Sequence, residues 1–221
     1  MSIALSIGNN LTTNGVFTSS AVNNTSVTNV TDFASVPGGG VLKLLSSQTA
    51  SASATISFTS GIDSTYDSYV FTFNNIHSSA ISKFTFNGSI DGGSNYNVVK
   101  TTTVFDTYHY ENDGGAELHY DNDGTDLAQS TAFQSLTEYN QNADNDCSTV
   151  GNLHLFNPSS TTFVKHFISE SSSMFTGGVN RGAMRGFVAG YMNTTSAVNA
   201  IQFKMSSGNI DSGIIKMYGV K

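Results

Sequence analysis

Charge is scarce in this 221-residue sequence: Asp, Glu, Lys and Arg make up 11% of it, and only nine residues are Lys or Arg. The net charge of −7 excludes the basic footprint needed to bind nucleic acid through its phosphates. It also gives no electrostatic hold on an anionic membrane surface. Cys147 is the single cysteine, so no intrachain disulfide framework can form. No basic residue stands beside it in sequence to lower its pKa, and an inert thiol is the expectation. No apolar run approaches the ~20 residues of a membrane span. Met1-Ser-Ile-Ala-Leu has neither a basic n-region nor a long apolar core, so no secretory signal is read there. The Asn-x-Ser/Thr triplets at Asn10, Asn23, Asn24, Asn29 and Asn193 then follow from composition alone. No segment sustains a 3.6-residue apolar period, which argues against helices. A GxSxG nucleophile elbow is absent, and Asp91-Gly-Gly-Ser lacks the strand–loop–helix setting of a phosphate loop.

What the sequence does have is a period of two. Ala54, Ile56 and Phe58 alternate with Ser and Thr, a turn follows at Ser60-Gly61, and Tyr69, Phe71 and Phe73 alternate again. That pattern predicts two strands joined as a hairpin, with one apolar face each, which need a second apolar layer. The pattern returns around Phe84 and Phe86, over Val98 to Phe105, and over Val150 to Phe156. It continues over Thr162 to Ser169, Ala183 to Met192, Ala197 to Met205 and Gly213 to Val220. Phe163 and Phe167 oppose Val164 and Ile168, and two-sided apolarity marks an interior strand or a subunit contact. Leu127 to Leu136 fits a short helix or a strand equally, and Ser171 to Gly182 reads as a loop. Nine or ten short strands, with fifteen Phe and nine Tyr to fill the interior, predict an all-β fold. The expected form is an antiparallel β-sandwich, jelly-roll-like, with an extended N-terminal arm.

The arm is residues 1–36, which carry no Lys or Arg and one acid, Asp32. Its apolar residues Val16, Phe17, Val22, Val27, Val30 and Phe33 are widely spaced. Such a segment gains most by pairing with a neighbouring subunit, and these residues are the expected partner contacts. Pro37-Gly38-Gly39-Gly40 ends it, and the β-sandwich domain runs 41–221. Residues 106–146 hold ten of the sixteen acids and no Lys or Arg; they read as loops and short strands projecting from one end of the sandwich. Asp121, Asp123 and Asp126 are close enough in sequence to share a calcium ion, but the spacing departs from an EF-hand loop, and a solvated acidic loop is expected, with no metal or other cofactor. Asp144 and Asp146 stand the same way. His109 and His119 flank Gly114-Gly115 and would form a metal pair if they met across a hairpin. Paired carboxylates, for example Glu117 with Glu138, are the arrangement to weigh for glycoside hydrolysis, while His77, His154 and His166 are scattered. Tyr108, Tyr110 and Tyr120, among acids, suit contact with a glycan.

Three stretches resemble virion structural proteins of tailed bacteriophages, marine and cyanobacterial ones especially. They are Ser57 to His77 (SFTSGIDSTYDSYVFTFNNIH), Gly88 to Tyr96 (GSIDGGSNY) and Leu153 to Pro158 (LHLFNP), and the terminal Gly213 to Lys221 (GIIKMYGVK) adds to the likeness. The resemblance covers 41–221 and implies a β-rich, non-enzymatic component of the virion surface, either a head decoration or a tail-associated fibre or knob. Its expected partners are other virion proteins and further copies of itself, as a trimer. A glycan-binding module of a tail fibre is the alternative, and a carbohydrate-degrading enzyme a more distant one.

Overall fold

The computed structural model describes residues 42–120, 125–177 and 180–221. Its unit Gly40–Lys221 is all-β, with no helix among the described residues. Twelve strands follow one another: β1 (Lys43–Ser53), β2 (Ile56–Phe58), β3 (Ser68–Ser78), β4 (Phe84–Ser89), β5 (Lys100–Tyr110), β6 (Ala116–Tyr120), β7 (Gln134–Ser135), β8 (Thr149–Phe156), β9 (Lys165–Gly177), β10 (Asn180–Met192), β11 (Ala200–Met205) and β12 (Ile210–Val220). They form an eight-stranded sheet in the order β1-β12-β3-β8-β9-β10-β5-β6 and a four-stranded sheet in the order β2-β11-β4-β7. Every pairing is antiparallel, and four of them are nested: β1 with β12, β2 with β11, β3 with β8, β4 with β7. The hairpins β5–β6 and β9–β10 interrupt the nest and widen the larger sheet.

The alternation predicted from sequence sets which side chains enter the core. Phe71 and Phe73 of β3, Phe84 and Phe86 of β4, and Ile201, Phe203 and Met205 of β11 all point inward and are buried. Phe203 lies at the centre: its ring meets those of Phe71 and Phe84 at 5.5 and 5.6 Å, and those of Phe58 and Phe86 at 6.3 and 6.4 Å. Phe86 also meets Phe167 of β9 edge-on at 5.0 Å. These rings belong to both sheets, so the two layers share one core. Burying each ring contributes about 1.5–3 kcal/mol.

Three expectations are corrected. The stretch 53–74 is not a hairpin, because β2 joins β11 in the small sheet while β3 joins β12 and β8 in the large one. The two strands face each other across the core, with Phe58 and Phe71 rings 5.4 Å apart. The intervening segment crosses between layers and is held by the buried Tyr69. The Asp63 N–H donates to Tyr69 Oη at 2.8 Å, and Tyr69 Oη donates to the Asp63 carbonyl at 2.9 Å. Second, Ser171 to Gly182 is not a loop. β9 runs to Gly177 and β10 starts at Asn180, because pairing on both sides of β9 outweighs the poor strand propensity of its serines.

Third, residues 106–146 do not project together from one end: 106–110 and 116–120 lie in β5 and β6, and 125–146 folds back along the sheet. Eight strands face four, so the inner surface of β9, β10 and β5 needs another cover, and this segment supplies it. The Leu127 N–H donates to Thr102 Oγ1 at 2.7 Å, Thr102 Oγ1 donates to Gln134 Oε1 at 2.6 Å, and Ser171 Oγ donates to the Leu136 carbonyl at 2.7 Å. The only regular structure in Leu127 to Leu136 is the two-residue β7 and a bridge from Ser130 to Lys100.

Candidate functional site

Along β5, β9 and β10 the odd and even residues separate cleanly. One set is buried, and the other forms the outer face of the eight-stranded sheet. Register lines these outward residues into rows. Tyr120, Phe105 and Phe187 stand side by side on β6, β5 and β10, with the last two rings stacked at 4.6 Å. Thr103, Ala189, Ile168, His154 and Val70 make a second row from β5 to β3. The face is accessible: Phe105 is 41% exposed, Ile168 50% and Leu118 70%. A groove of about 540 Å³ runs between Phe156, His166, Ile168, Ala189 and Tyr191. It shares Phe156 and His166 with a second groove of about 550 Å³ beside Phe163, itself 69% exposed.

Charge is nearly cancelled in the middle of this face. Arg185 donates to Glu170 at 2.9 Å and lies 4.7 Å over the Phe187 ring. His154 hydrogen-bonds Ser68 Oγ at 2.9 Å and packs 3.9 Å from the Phe156 ring, and burial holds its pKa below the ordinary range, which keeps it neutral. Exposed apolar surface of this kind suits contact with another molecule. The sequence signal for it was the two-sided apolarity of Thr162 to Ser169: Phe167 enters the core and Ile168 faces out. Phe105 and Phe187 gave no such signal singly.

A second cluster lies at the end of β5, on the other face of the sheet. Tyr108 and Tyr110 are 5.0 Å apart, Tyr108 meets Tyr139 edge-on at 5.9 Å, and Tyr139 stacks on the buried Phe175 at 4.9 Å. Tyr108 Oη donates to Glu117 Oε2 at 3.0 Å, and this bond pushes the phenol's pKa up to about 12. Of the three tyrosines expected to act together, Tyr108 and Tyr110 do meet. Tyr120 does not, because its register partner is Phe105, on the outer face. Tyr139 takes the third place, which sequence spacing could not show.

The remaining expected sites are distributed as follows. His109 pairs in register with Ala116 and His119 with Asp106, so the two histidines lie on opposite faces of the sheet and form no metal pair. His109 instead meets Asp113 at 3.0 Å, and His119 lies 3.6 Å from Asp106. Asp121 and Asp123 fall outside the described residues, and Asp126 accepts from Tyr120 Oη at 3.4 Å. Arg181 ties down both Asp144 and Asp146. Glu117 is exposed on β6, whereas Glu138 is buried. Among the described residues no group of three or more His, Cys, Asp or Glu could hold a metal ion. Cys147 is buried, and burial pushes its thiol pKa up. His77 Nε2 donates to the Asp144 carbonyl at 3.0 Å. Val16, Phe17, Val22, Val27, Val30 and Phe33 lie outside the described residues. No family model, curated protein or solved structure matches this chain.

Proposed function

We propose that this chain is a non-enzymatic jelly-roll component of a tailed-phage virion surface, a head decoration or a tail-associated fibre or knob. On this reading it docks against neighbouring copies through the outer face of its eight-stranded sheet. The observation that carries it is that face: Phe105, Leu118, Tyr120 and Ile168 stand exposed on it, and the charges of Arg185 and Glu170 pair there. The nested pairing supports the jelly-roll assignment. Counting inward from both ends, β1, β2, β3 and β4 meet β12, β11, β8 and β7, as in a two-stranded ribbon rolled into two layers, an architecture found in viral capsid and lectin domains. That is an argument from fold-level analogy, to which the likeness of Ser57 to His77 and Gly213 to Lys221 to phage virion proteins adds. Residues 1–36 serve in this reading as an arm that orders on the partner, and the favoured closed assembly is a trimer.

Sedimentation of the purified chain tests it. The wild type should run as a trimer. Ile168→Lys combined with Phe105→Lys should run as a monomer with an unchanged melting temperature. A monomeric wild type, or a double variant that still assembles, would remove the outer face from the proposal. A label on this chain in purified particles should then appear at the virion surface.

The half-exposed Tyr108–Tyr110–Tyr139 cluster beside Glu117 favours a second reading, a glycan-binding module. Aromatic rings offer flat apolar surface to a sugar's C–H face, and carboxylates accept from its hydroxyls. Binding on a glycan array that Tyr139→Ala abolishes would support it; silence on every glycan would end it.

A further inference from the structure

Lys100 on β5 and Asn87 on β4 are both fully buried, one on each sheet. Lys100 Nζ donates to Asn87 Oδ1 at 2.6 Å and to the Val98 carbonyl at 2.8 Å. The carboxamide is fixed at both ends. Its Oδ1 also accepts from the Gly88 N–H at 2.8 Å, and its Nδ2 donates to the Tyr96 and Thr131 carbonyls, each at 2.9 Å. We propose that Lys100 and Asn87 are a modification site, at which the two side chains join in an intramolecular isopeptide bond that ties the two sheets together.

The chemistry needs a neutral amine, an accessible carbonyl carbon and no competing water. Burial brings the Lys100 pKa down to about 7, so much of the amine is uncharged near neutrality. A neutral amine has two N–H groups, matched by the two acceptors above, and keeps its lone pair. Nζ stands 2.6 Å from Oδ1, and releasing that hydrogen bond lets its lone pair turn onto the adjacent Cγ, for which attack needs about 3–3.5 Å. The lone pair of Nζ attacks Cγ, and the carbonyl π pair moves to Oδ1, where the Gly88 N–H stands to stabilise the developing charge. One proton passes from Nζ to Nδ2. The tetrahedral adduct collapses, the C=O re-forms, the Cγ–Nδ2 bond breaks and ammonia leaves. A primary amine and a primary amide become a secondary amide and ammonia, with no change of oxidation state and no cofactor. Exclusion of water from the site suppresses hydrolysis. Lys165 is equally buried but meets the main-chain carbonyls of Phe163 and Thr194 instead of a side-chain amide, so it gives an internal contrast.

Intact mass spectrometry of the purified full chain, denatured and aged at mildly alkaline pH before analysis, tests this. The wild type should be lighter than its sequence by one ammonia. Trypsin should leave one fragment spanning residues 84–165, because a linked Lys100 is no longer a cleavage site. Lys100→Arg should have its full sequence mass, and Asn87→Asp should lose water in place of ammonia. Asn87-Gly88 could also lose ammonia by closing to a succinimide, which hydroxylamine attacks and the isopeptide survives. A full-mass wild type, a loss that persists in Lys100→Arg, or a loss removed by hydroxylamine each overturns the proposal. Should the variants fail to fold, the wild-type tryptic map decides alone.

Discussion

At the scale of single residues, stability concentrates where rings from both layers converge. Phe203 touches four other phenylalanines, so Phe203→Ala leaves a cavity shared by both sheets and should cost about 3–5 kcal/mol, read as a lower urea midpoint with an unchanged slope. Lys165 gives a pH test. Burial lowers its folded pKa below 10.5, so between that lowered value and 10.5 the unfolded chain binds a proton that the native state does not. Stability therefore rises with pH through this window and is lost as pH falls through it. The denaturation midpoint of the wild type should climb from neutral toward alkaline pH, and Lys165→Met should climb less. Equal slopes would mean that Lys165 keeps its charge in the folded state. Gly219 is needed for shape: the Tyr66 ring lies where a Cβ would stand. Gly219→Ala should cost about 1–3 kcal/mol through overpacking, measured by thermal or urea denaturation.

At the scale of elements, protection should follow position in the sheet. β6 is an edge strand whose residues are nearly all exposed, while β8 and β9 are paired on both sides. Amide exchange should be fast across Ala116–Tyr120 and slow across Thr149–Phe156 and Lys165–Phe175. Uniform protection would contradict the sheet order. Strand identity was readable wherever one face is apolar: Phe71 and Phe73, Phe84 and Phe86, Leu153 and Leu155, and Ile215 with Met217 all point inward as their spacing says. Strand partnership was not readable. Nothing in Ile56 to Phe58 distinguishes pairing with Phe71 from facing it across the core, because both bury the same rings. The serines of β9 hid half a strand, since a ladder on both sides can hold polar residues that propensity would assign to a loop. The outer face was legible only at Phe163 to Ile168. The Tyr139 contact joins segments about thirty residues apart, beyond any local pattern.

At the scale of the whole molecule, the first strand waits for the last. β1 and β3 both flank β12, so neither is complete until the C-terminal strand arrives. Such non-local pairing predicts slow folding, on the scale of milliseconds to seconds or longer. A chain ending at Asn209 should fail to fold, seen as rapid tryptic digestion and a collapsed strand signal in circular dichroism. A protease-resistant truncation would show that the remaining strands suffice. The same β1–β12 contact has a mechanical side. Lys43 lies directly opposite Gly219, so tension between these two points would open the ladder from one end, one rung after another. Tension between Lys43 and the turn at Ser206–Asn209, which lies at the other end of the ladder where Ser53 faces Ile210, would instead load the rungs together in shear. An attachment through the segment before Leu42 therefore suits a part that must stay shut when pulled from its far loops, and would be the wrong handle for one pulled by its own tail.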